Sequence, residues 1–223
     1  MLPTMKIAIL GGTGNIGKGL ALRWAYEHEI IIGSREQSKA EQIAESYAQI
    51  LRENTTKTCN IRGVENDKAV AAADIVIVAV PYQALKSLVD SIHLSLTNQV
   101  IVSLVVPMEK QNSYLKYIPP DDGSAAVELK KLVPDTVGVV AAFHNLSAKK
   151  LCNLENRLDY DVVVCGSDKE AKKKVMRLIE DINGIRPLDG GGLEDAVIIE
   201  SLTPFLINLA RRNSLQELGV KFV

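Results

Sequence analysis

Cysteine is scarce in this 223-residue chain: only Cys59, Cys152 and Cys165 occur, and they lie far apart. Their odd number and the lack of C-x-x-C spacing argue against a disulfide framework and against a cysteine zinc site. We therefore expect a reducing, cytoplasmic environment and no bound metal.

An excess of charge, long apolar runs and internal repeats are also missing. The 26 basic and 27 acidic residues give a net charge of −1, which provides no bulk attraction to nucleic acid or to an anionic membrane. The apolar runs are strand-sized, below the roughly 20 residues of a membrane span, and the stretch before the first run is too short for a signal sequence. Because 47% of the residues are apolar, we expect a soluble protein with a substantial core.

A glycine-rich stretch follows the first apolar run, residues 7–10, and opens a helix-forming segment. Gly12, Gly14 and Gly17 fit the spacing G-x-G-x-x-G of a dinucleotide-binding turn. Gly12 would permit the tight turn, Gly14 would let a pyrophosphate approach the backbone, and Gly17 would let the helix pack on the strand. Free N–H groups at the helix start then form an anion site. The alternative is a turn that merely connects a strand and a helix.

The end of the second predicted strand indicates which dinucleotide is bound. An acidic residue at this point would hold the ribose hydroxyls of NAD, but the chain has Ser34 and Arg35, with Lys39 about one helical turn further on. A hydroxyl, a guanidinium and an ammonium group suit a 2′-phosphate. We therefore predict NADP rather than NAD. On the alternative interpretation, Arg35 and Lys39 are ordinary solvated charges.

Strands and helices alternate along the whole chain. This pattern predicts an α/β fold of the Rossmann type, a doubly wound and mostly parallel sheet with a small C-terminal lobe. We place the NADP-binding domain at residues 1–145 and the smaller lobe at residues 146–223. A polar segment at residues 109–122 is predicted to be a loop that could act as a lid, and Pro204 is expected to kink or restart the last helix.

The residues that follow two buried strands are placed to touch ligands, because ligands bind beyond the carboxyl ends of parallel strands. At the carboxyl end of the strand at residues 74–80, these are Val80, Pro81 and Tyr82, although Tyr82 could equally be a surface aromatic.

The cosubstrate site is predicted from two further pairs of residues. His144 and Leu146 follow a strand, and Ser201 and Thr203 precede Pro204. The alternatives are a capping histidine and hydroxyls bonded to carbonyls of their own helix.

Several motifs together resemble those of the archaeal coenzyme F420-dependent NADP oxidoreductases, and the resemblance covers essentially the whole chain. They are GGTGNIGKGLA at residues 11–21, GSR at 33–35, VCG at 164–166, RPLD at 186–189, ESLTP at 200–204 and ELGVKF at 217–222. The resemblance implies hydride transfer between C5 of a reduced deazaflavin, coenzyme F420, and C4 of the nicotinamide of NADP.

The resemblance also implies roles for individual residues. The pyrophosphate region is expected at Thr13, Gly14, Asn15 and Ile16. The 2′-phosphate is expected at Ser34, Arg35 and Lys39. The nicotinamide side is expected near Tyr82 and Ala148, and the deazaflavin near His144, Leu146, Ser201 and Thr203. The acidic tail of the deazaflavin would favour nearby cations such as Lys149 or Lys150.

Two other functions remain open at this point. One is a small NADP-dependent imine or hydroxy-acid reductase, similar to a pyrroline-carboxylate reductase, and the other is a non-catalytic NADP sensor. The apolar face of the last helix, which includes Ile198, Phe205 and Leu209, could bury against a second copy in a homodimer or lie in the core of one chain.

Overall fold

The computed structural model describes residues 4–12, 14–54, 58–155, 157–216 and 218–223. Thr13 and Glu217, which belong to two of the predicted motifs, lie outside these ranges. The strands are β1 (Lys6–Leu10), β2 (Glu29–Ser34), β3 (Asn60–Glu65), β4 (Ile75–Val78), β5 (Val100–Ser103), β6 (Met108–Gln111), β7 (Tyr114–Tyr117), β8 (Gly138–Ala141), β9 (Tyr160–Val164) and β10 (Ile185–Asp189). The helices are α1 (Asn15–Trp24), α2 (Gln37–Asn54), α3 (Asn66–Ala71), α4 (Leu85–Ile92), α5 (Ala125–Leu132), α6 (Ala148–Cys152), α7 (Lys169–Glu180) and α8 (Ala196–Arg212).

The main sheet has the strand order β3-β2-β1-β4-β5-β8, and neighbouring strands are parallel. This is the doubly wound order, in which the direction of winding reverses between β1 and β4. Leu10, at the end of β1, pairs with Gly33 of β2 and with Val78 of β4. The turn after β1 therefore lies at the switch point, where such sheets bind ligands. The predicted Rossmann-type fold is confirmed.

Both faces of the main sheet are covered, because alternate residues of each strand point to opposite sides. In β1, Ile7 and Ile9 belong to the core that includes Trp24 of α1, whereas Ala8 and Leu10 belong to the core that includes Leu129 of α5. Central strands with apolar side chains on both faces form continuous apolar runs, which is why the sequence marks them clearly.

The segment predicted as a polar loop at residues 109–122 is largely a β-hairpin. Strands β6 and β7 pair in an antiparallel register from Met108–Tyr117 to Gln111–Tyr114. Asn112, between them, has a φ of 53°, a left-handed conformation that asparagine tolerates in tight turns. The hairpin packs on α8, where Asn208 exchanges two hydrogen bonds with the backbone of Leu115. The prediction of a loop over residues 109–122 was therefore wrong for the residues of β6 and β7.

The C-terminal part of the chain adds a small parallel sheet of β9 and β10, which a bridge between Ala141 and Cys165 joins to the end of β8. Val162 of β9 and Val175 of α7 belong to the same apolar core as Ile7 and Trp24. The indole N–H of Trp24 donates to the carbonyl of Leu178 at 3.0 Å. This lobe therefore shares its core with one face of the main sheet.

Helix α8 continues through Pro204 from Ala196 to Arg212, so the predicted restart does not occur. In the described part of the chain, no helix is both long enough and apolar enough to cross a membrane.

Candidate active site

The glycine turn lies against the strand end next to it. Gly11 has a φ of 79°, and a Cβ there would stand 2.5 Å from the carbonyl oxygen of Ala79. The left-handed position of the turn is thus Gly11 and not Gly12, which corrects the predicted role of Gly12. A Cβ on Gly17 would approach the Cα of Gly12 to 2.9 Å, so Gly17 does allow close packing of the helix as predicted. A Cβ on Gly14 would meet only the carbonyl oxygen of Gly11, at 3.6 Å, so the approach to the backbone is open there, as a phosphate cradle requires.

Two side chains donate hydrogen bonds to carbonyls at the glycine turn and at the start of α1. The hydroxyl of Tyr47 in α2 donates to the carbonyl of Gly12 at 2.5 Å, and the thiol of Cys152 in α6 donates to the carbonyl of Asn15 at 3.0 Å. The first amides of α1 have no partner within the helix and stay available for an anion. The ammonium group of Lys18 lies 5.8 Å from the centre of the Tyr47 ring.

The end of β2 carries the predicted 2′-phosphate group. Ser34 ends the strand, and its hydroxyl accepts a long hydrogen bond of 3.4 Å from the amide of Glu36. Arg35 and Lys39 are exposed, and neither forms an ion pair with any residue the structure describes. Their charged groups are therefore free to meet a phosphate.

A cleft of about 1070 Å³ begins at the glycine turn and runs between the sheet edge, α6 and α8. Its lining includes the predicted residues Gly14, Ile16, Val80, Pro81, His144, Leu146, Ala148 and Thr203. It also includes residues that the sequence reasoning did not single out for the site, among them Leu104, Val106, Met108, Phe143, Ile207, Ala210, Arg211, Ser214, Leu215, Gln216 and Leu218. Most of these side chains are apolar, which suits a flat aromatic ring system.

His144 is the most unusual side chain of the cleft. It is only 5% exposed, and neither ring nitrogen has a hydrogen-bond partner among the described residues. Burial lowers the pKa of His144 to about 4. The imidazole is therefore neutral at physiological pH and offers one donor and one acceptor to a ligand.

The turn around His144 is held by its neighbours. Phe143 has a φ of 70°, in the left-handed region that non-glycine residues rarely adopt, and its ring packs edge-on against Trp24 with centroids 5.8 Å apart. From the other side, the hydroxyl of Thr203 donates to the carbonyl of His144 at 2.6 Å. Thr203 thus fixes the backbone of His144.

Of the residues predicted to lie near the nicotinamide or the deazaflavin, Tyr82 and Ser201 do not line the cleft. The hydroxyl of Ser201 donates to the carbonyl of Ile198 in its own helix at 2.7 Å. Tyr82 turns towards α5, where its hydroxyl donates to Glu128 at 2.6 Å, and this bond, with burial, raises the pKa of Tyr82 to about 12. Both hydroxyl groups are thus bonded within the protein, and the bond of Ser201 agrees with the alternative of a hydroxyl bonded to its own helix.

Helix α6 is pressed against α1 and presents Ala148 to the cleft. A Cβ on Gly19 would meet the Cβ of Leu151 at 2.7 Å, so glycine permits this contact. The guanidinium of Arg23 donates to the carbonyls of Lys150, Leu151 and Asn153 at the C-terminal end of this short helix, where carbonyls have no partner within the helix.

Glu200 of α8 is a buried carboxyl group to which the sequence reasoning gave no role. Its side chain is fully buried and accepts hydrogen bonds from the amides of Ala125 and Ala126, both at 3.0 Å, and from the hydroxyl of Tyr117 at 2.9 Å. Burial raises the pKa of Glu200 to about 7 against these three bonds. Glu200 therefore ties α8 to α5 and to the hairpin.

Metal chemistry finds no support in the described residues, where no cluster of histidine, cysteine and carboxylate side chains could hold an ion. The arrangement offers instead an anion cradle that opens directly into an apolar cleft with one neutral histidine. Such an arrangement suits a dinucleotide with an aromatic partner beside it.

Known proteins are similar in sequence to this chain along nearly its whole length. The profile described as "NADP oxidoreductase coenzyme F420-dependent" matches residues 6–107. The F420-dependent NADP reductase of Methanocaldococcus jannaschii is 39% identical over 219 residues, 97% of each chain. That of Methanothermobacter marburgensis is 37% identical over 221 residues, again 97% of each.

A crystal structure gives an independent comparison of the fold. A protein of Arthrobacter sp. FB24, provisionally named an F420-dependent NADP reductase, superposes with a TM-score of 0.81 at 24% identity and covers 98% of this chain and 99% of that one. The relatives are similar over their full length, and the motifs quoted from the sequence extend from the glycine turn to the C-terminal residues. The chain belongs to the family of F420-dependent NADP reductases.

Proposed function

We propose that this chain transfers a hydride reversibly between reduced coenzyme F420 and NADP+, with NADP on the glycine turn and the deazaflavin in the apolar cleft. As a member of its family the chain is an NADP-dependent oxidoreductase that uses coenzyme F420. The observation that carries the placement is the continuity of the site. One cleft reaches from Gly14 and Ile16 in the cradle to His144 and Thr203.

Hydride transfer depends mainly on how the two cosubstrates are positioned. A hydride passes from C5 of the reduced deazaflavin to C4 of the nicotinamide when both are bound, and the remaining proton goes to solvent. The reacting carbons must approach closely, and orientation alone can lower such a barrier by about 7–11 kcal/mol. No general base is required for this step, so the protein supplies binding, orientation and exclusion of water.

The NADP end is assigned to Ser34, Arg35 and Lys39. Arg35 offers a planar fork to phosphate oxygens and Lys39 a mobile ammonium group. The end of β2 lacks the carboxylate that would select the unphosphorylated ribose of NAD. These features support NADP as the preferred dinucleotide, and residues 1–145 as the part that binds most of it.

The deazaflavin end is assigned to His144, Leu146 and Thr203. A neutral imidazole with both nitrogens unpaired can hydrogen-bond to the polar edge of the ring system, where charge develops during transfer. Thr203 acts on the histidine through its backbone. Lys149 and Arg211 also line the cleft and offer charges to the acidic tail of the coenzyme.

A second copy of the chain is proposed to cover α8. Ile198, Phe205 and Leu209 are 61%, 58% and 36% exposed, and their spacing places them along one face of the helix. An exposed apolar face of this kind is typical of an interface, which supports a homodimer. We also place the enzyme in the cytoplasm, where Cys59, Cys152 and Cys165 would stay free.

The experiment mixes purified protein with reduced coenzyme F420 and either NADP+ or NAD+, and follows the deazaflavin absorbance. We expect fast turnover with NADP+ and little with NAD+. Replacing Arg35 and Lys39 with alanine should raise the KM for NADP about tenfold or more and leave that for NAD nearly unchanged, because charge-assisted bonds to a phosphate are lost. An equal loss for both dinucleotides would contradict the 2′-phosphate assignment.

The same assay tests the deazaflavin end with a matched pair of hydroxyl variants. Thr203→Val should raise the KM for reduced coenzyme F420 or lower kcat, whereas Ser201→Ala, whose hydroxyl bonds within its helix, should behave as the wild type. Equal effects of the two substitutions would overturn the placement of the deazaflavin beside Thr203. Tight NADP binding without any oxidation of the deazaflavin would favour an imine or hydroxy-acid reductase, or an NADP sensor.

A further inference from the structure

Asp161 is a buried charged residue that the proposed reaction leaves unexplained. It is the second residue of β9, and only 1% of it is exposed. Arg186 lies opposite it in the parallel register of β9 and β10, and the guanidinium donates two hydrogen bonds to the carboxylate, at 2.8 Å and 2.7 Å. The bonds from Arg186, and weaker contributions from the Phe222 amide and Lys221, hold the pKa of Asp161 below its usual range. The carboxylate is thus ionised and well oriented.

The same carboxylate binds the C-terminal residues of the chain. The amide of Phe222 donates to it at 2.7 Å, and the amide of Asp161 donates to the carbonyl of Val220 at 2.9 Å. Arg186 closes the arrangement by donating to the carbonyl of Phe222 at 2.7 Å. Residues 220–222 therefore lie beside β9, where side-chain and backbone hydrogen bonds join them to Asp161 and Arg186.

On its other side, Asp161 is tied to the turn that carries His144. The side-chain amide of Asn145, which is 1% exposed, donates to the carbonyl of Asp161 at 2.6 Å. Asn145 directly follows His144 in the chain. One strand residue thus connects the C-terminal residues to the turn that places the unpaired histidine.

Both connected segments line the cleft. His144 and Leu146 come from the turn, and Gln216 and Leu218 come from the stretch that leads to the C-terminal residues. Gly219 packs on the ring of Tyr160 so closely that a Cβ there would collide with the ring, so the stretch has little room to shift. The hydrogen bonds to Asp161 and Arg186 hold the end of this stretch.

We infer that Asp161 is a positioning residue for the deazaflavin: it sets the geometry of the wall formed by the C-terminal stretch and the His144 turn. The inference rests on the proposed placement of the deazaflavin in this cleft. It gives a role to Arg186 and to residues 220–222, which belong to the motifs at residues 186–189 and 217–222. The effect is specific to one cosubstrate, because the glycine turn has no contact with Asp161 among the described hydrogen bonds.

The test uses the full-length variants Asp161→Asn and Arg186→Lys. The first substitution keeps the shape of the side chain but not its charge, and the second keeps the charge but not the planar fork. Titration calorimetry should show that binding of oxidised coenzyme F420 weakens about five- to tenfold in both, the scale of one lost hydrogen bond, while NADP binding stays unchanged. Hydrogen exchange should speed up at residues 218–223.

Asp159→Asn is the matched control. Asp159 lies two residues earlier, is largely exposed, and pairs with Lys221 at the surface, so its loss should change neither affinity. A merely structural role for Asp161 would lower the affinities for both cosubstrates together or change neither, and each result would overturn the inference. Failure of the wild type itself to bind coenzyme F420 would instead overturn the proposed function.

Discussion

The buried Glu200 makes the stability of the protein depend on pH in an unusual direction. Its pKa is raised by burial from 4.5 to about 7. A carboxyl group with a higher pKa in the folded state than in the unfolded state binds more protons when folded. Its contribution to stability is therefore present in full below the unfolded pKa and is lost as the pH rises through 7.

The size of this effect follows from the two pKa values. Between about pH 5 and about pH 8 the folded state loses about 2.5 kcal/mol of the contribution from Glu200, which is roughly three quarters of the full shift at about 1.4 kcal/mol per pKa unit. In Glu200→Gln this dependence is absent, and the variant carries only a constant offset from its changed hydrogen bonds.

The assay is chemical denaturation of the wild type and of Glu200→Gln at several pH values in this range. The wild type should lose about 2.5 kcal/mol relative to the variant as the pH rises. The opposing contribution of His144, whose pKa is lowered to about 4, is common to both proteins and cancels in the difference. A difference that is flat with pH, or that changes in the opposite sense, would refute the reasoning. Glu53→Gln, at an exposed position of α2, is the control, and its free energy of unfolding should change with pH as that of the wild type does.

Two further outcomes are expected. Tyr47→Phe removes the hydrogen bond to the carbonyl of Gly12 and should weaken NADP and NAD by the same factor, about fivefold, in a binding titration. Tyr26→Phe is the control: it loses a similar bond, to the carbonyl of Leu51 in α2 and away from the turn, and should leave both affinities unchanged. If Tyr47→Phe weakened the binding of NADP alone, this would contradict the role of Tyr47 in holding the turn. Phe205→Glu should shift the sedimentation coefficient from dimer to monomer, and a wild type that already sediments as a monomer would contradict the proposed interface.

Much of the main sheet could be predicted because its information is local. Strands β1, β4, β5 and β8 are buried on both faces and form apolar runs, and the glycine spacing marks the turn after β1. The hairpin of β6 and β7 was missed because its strands are short and partly polar, and its turn depends on the left-handed conformation of a single asparagine.

The site was predictable only in part for a related reason. His144, Leu146 and Val80 line one cleft, as their positions near strand ends led us to expect, since the carboxyl ends of parallel strands share one edge. Tyr82 and Ser201 satisfy their hydroxyl groups elsewhere, in bonds that depend on where α5 and the preceding turn of α8 lie. Spacing along the chain does not contain that information.

Residue order alone was enough for the main sheet, the glycine turn and the family, because periodicity, glycine spacing and short motifs are properties of neighbouring residues. Packing decided the rest. Tyr47 meets Gly12, Glu200 meets Ala125, and Asp161 meets both Arg186 and Phe222 across 25 to 75 residues of chain. Such contacts need side chains from distant elements in one place, so the wall of the cleft takes its shape only when the whole chain has folded.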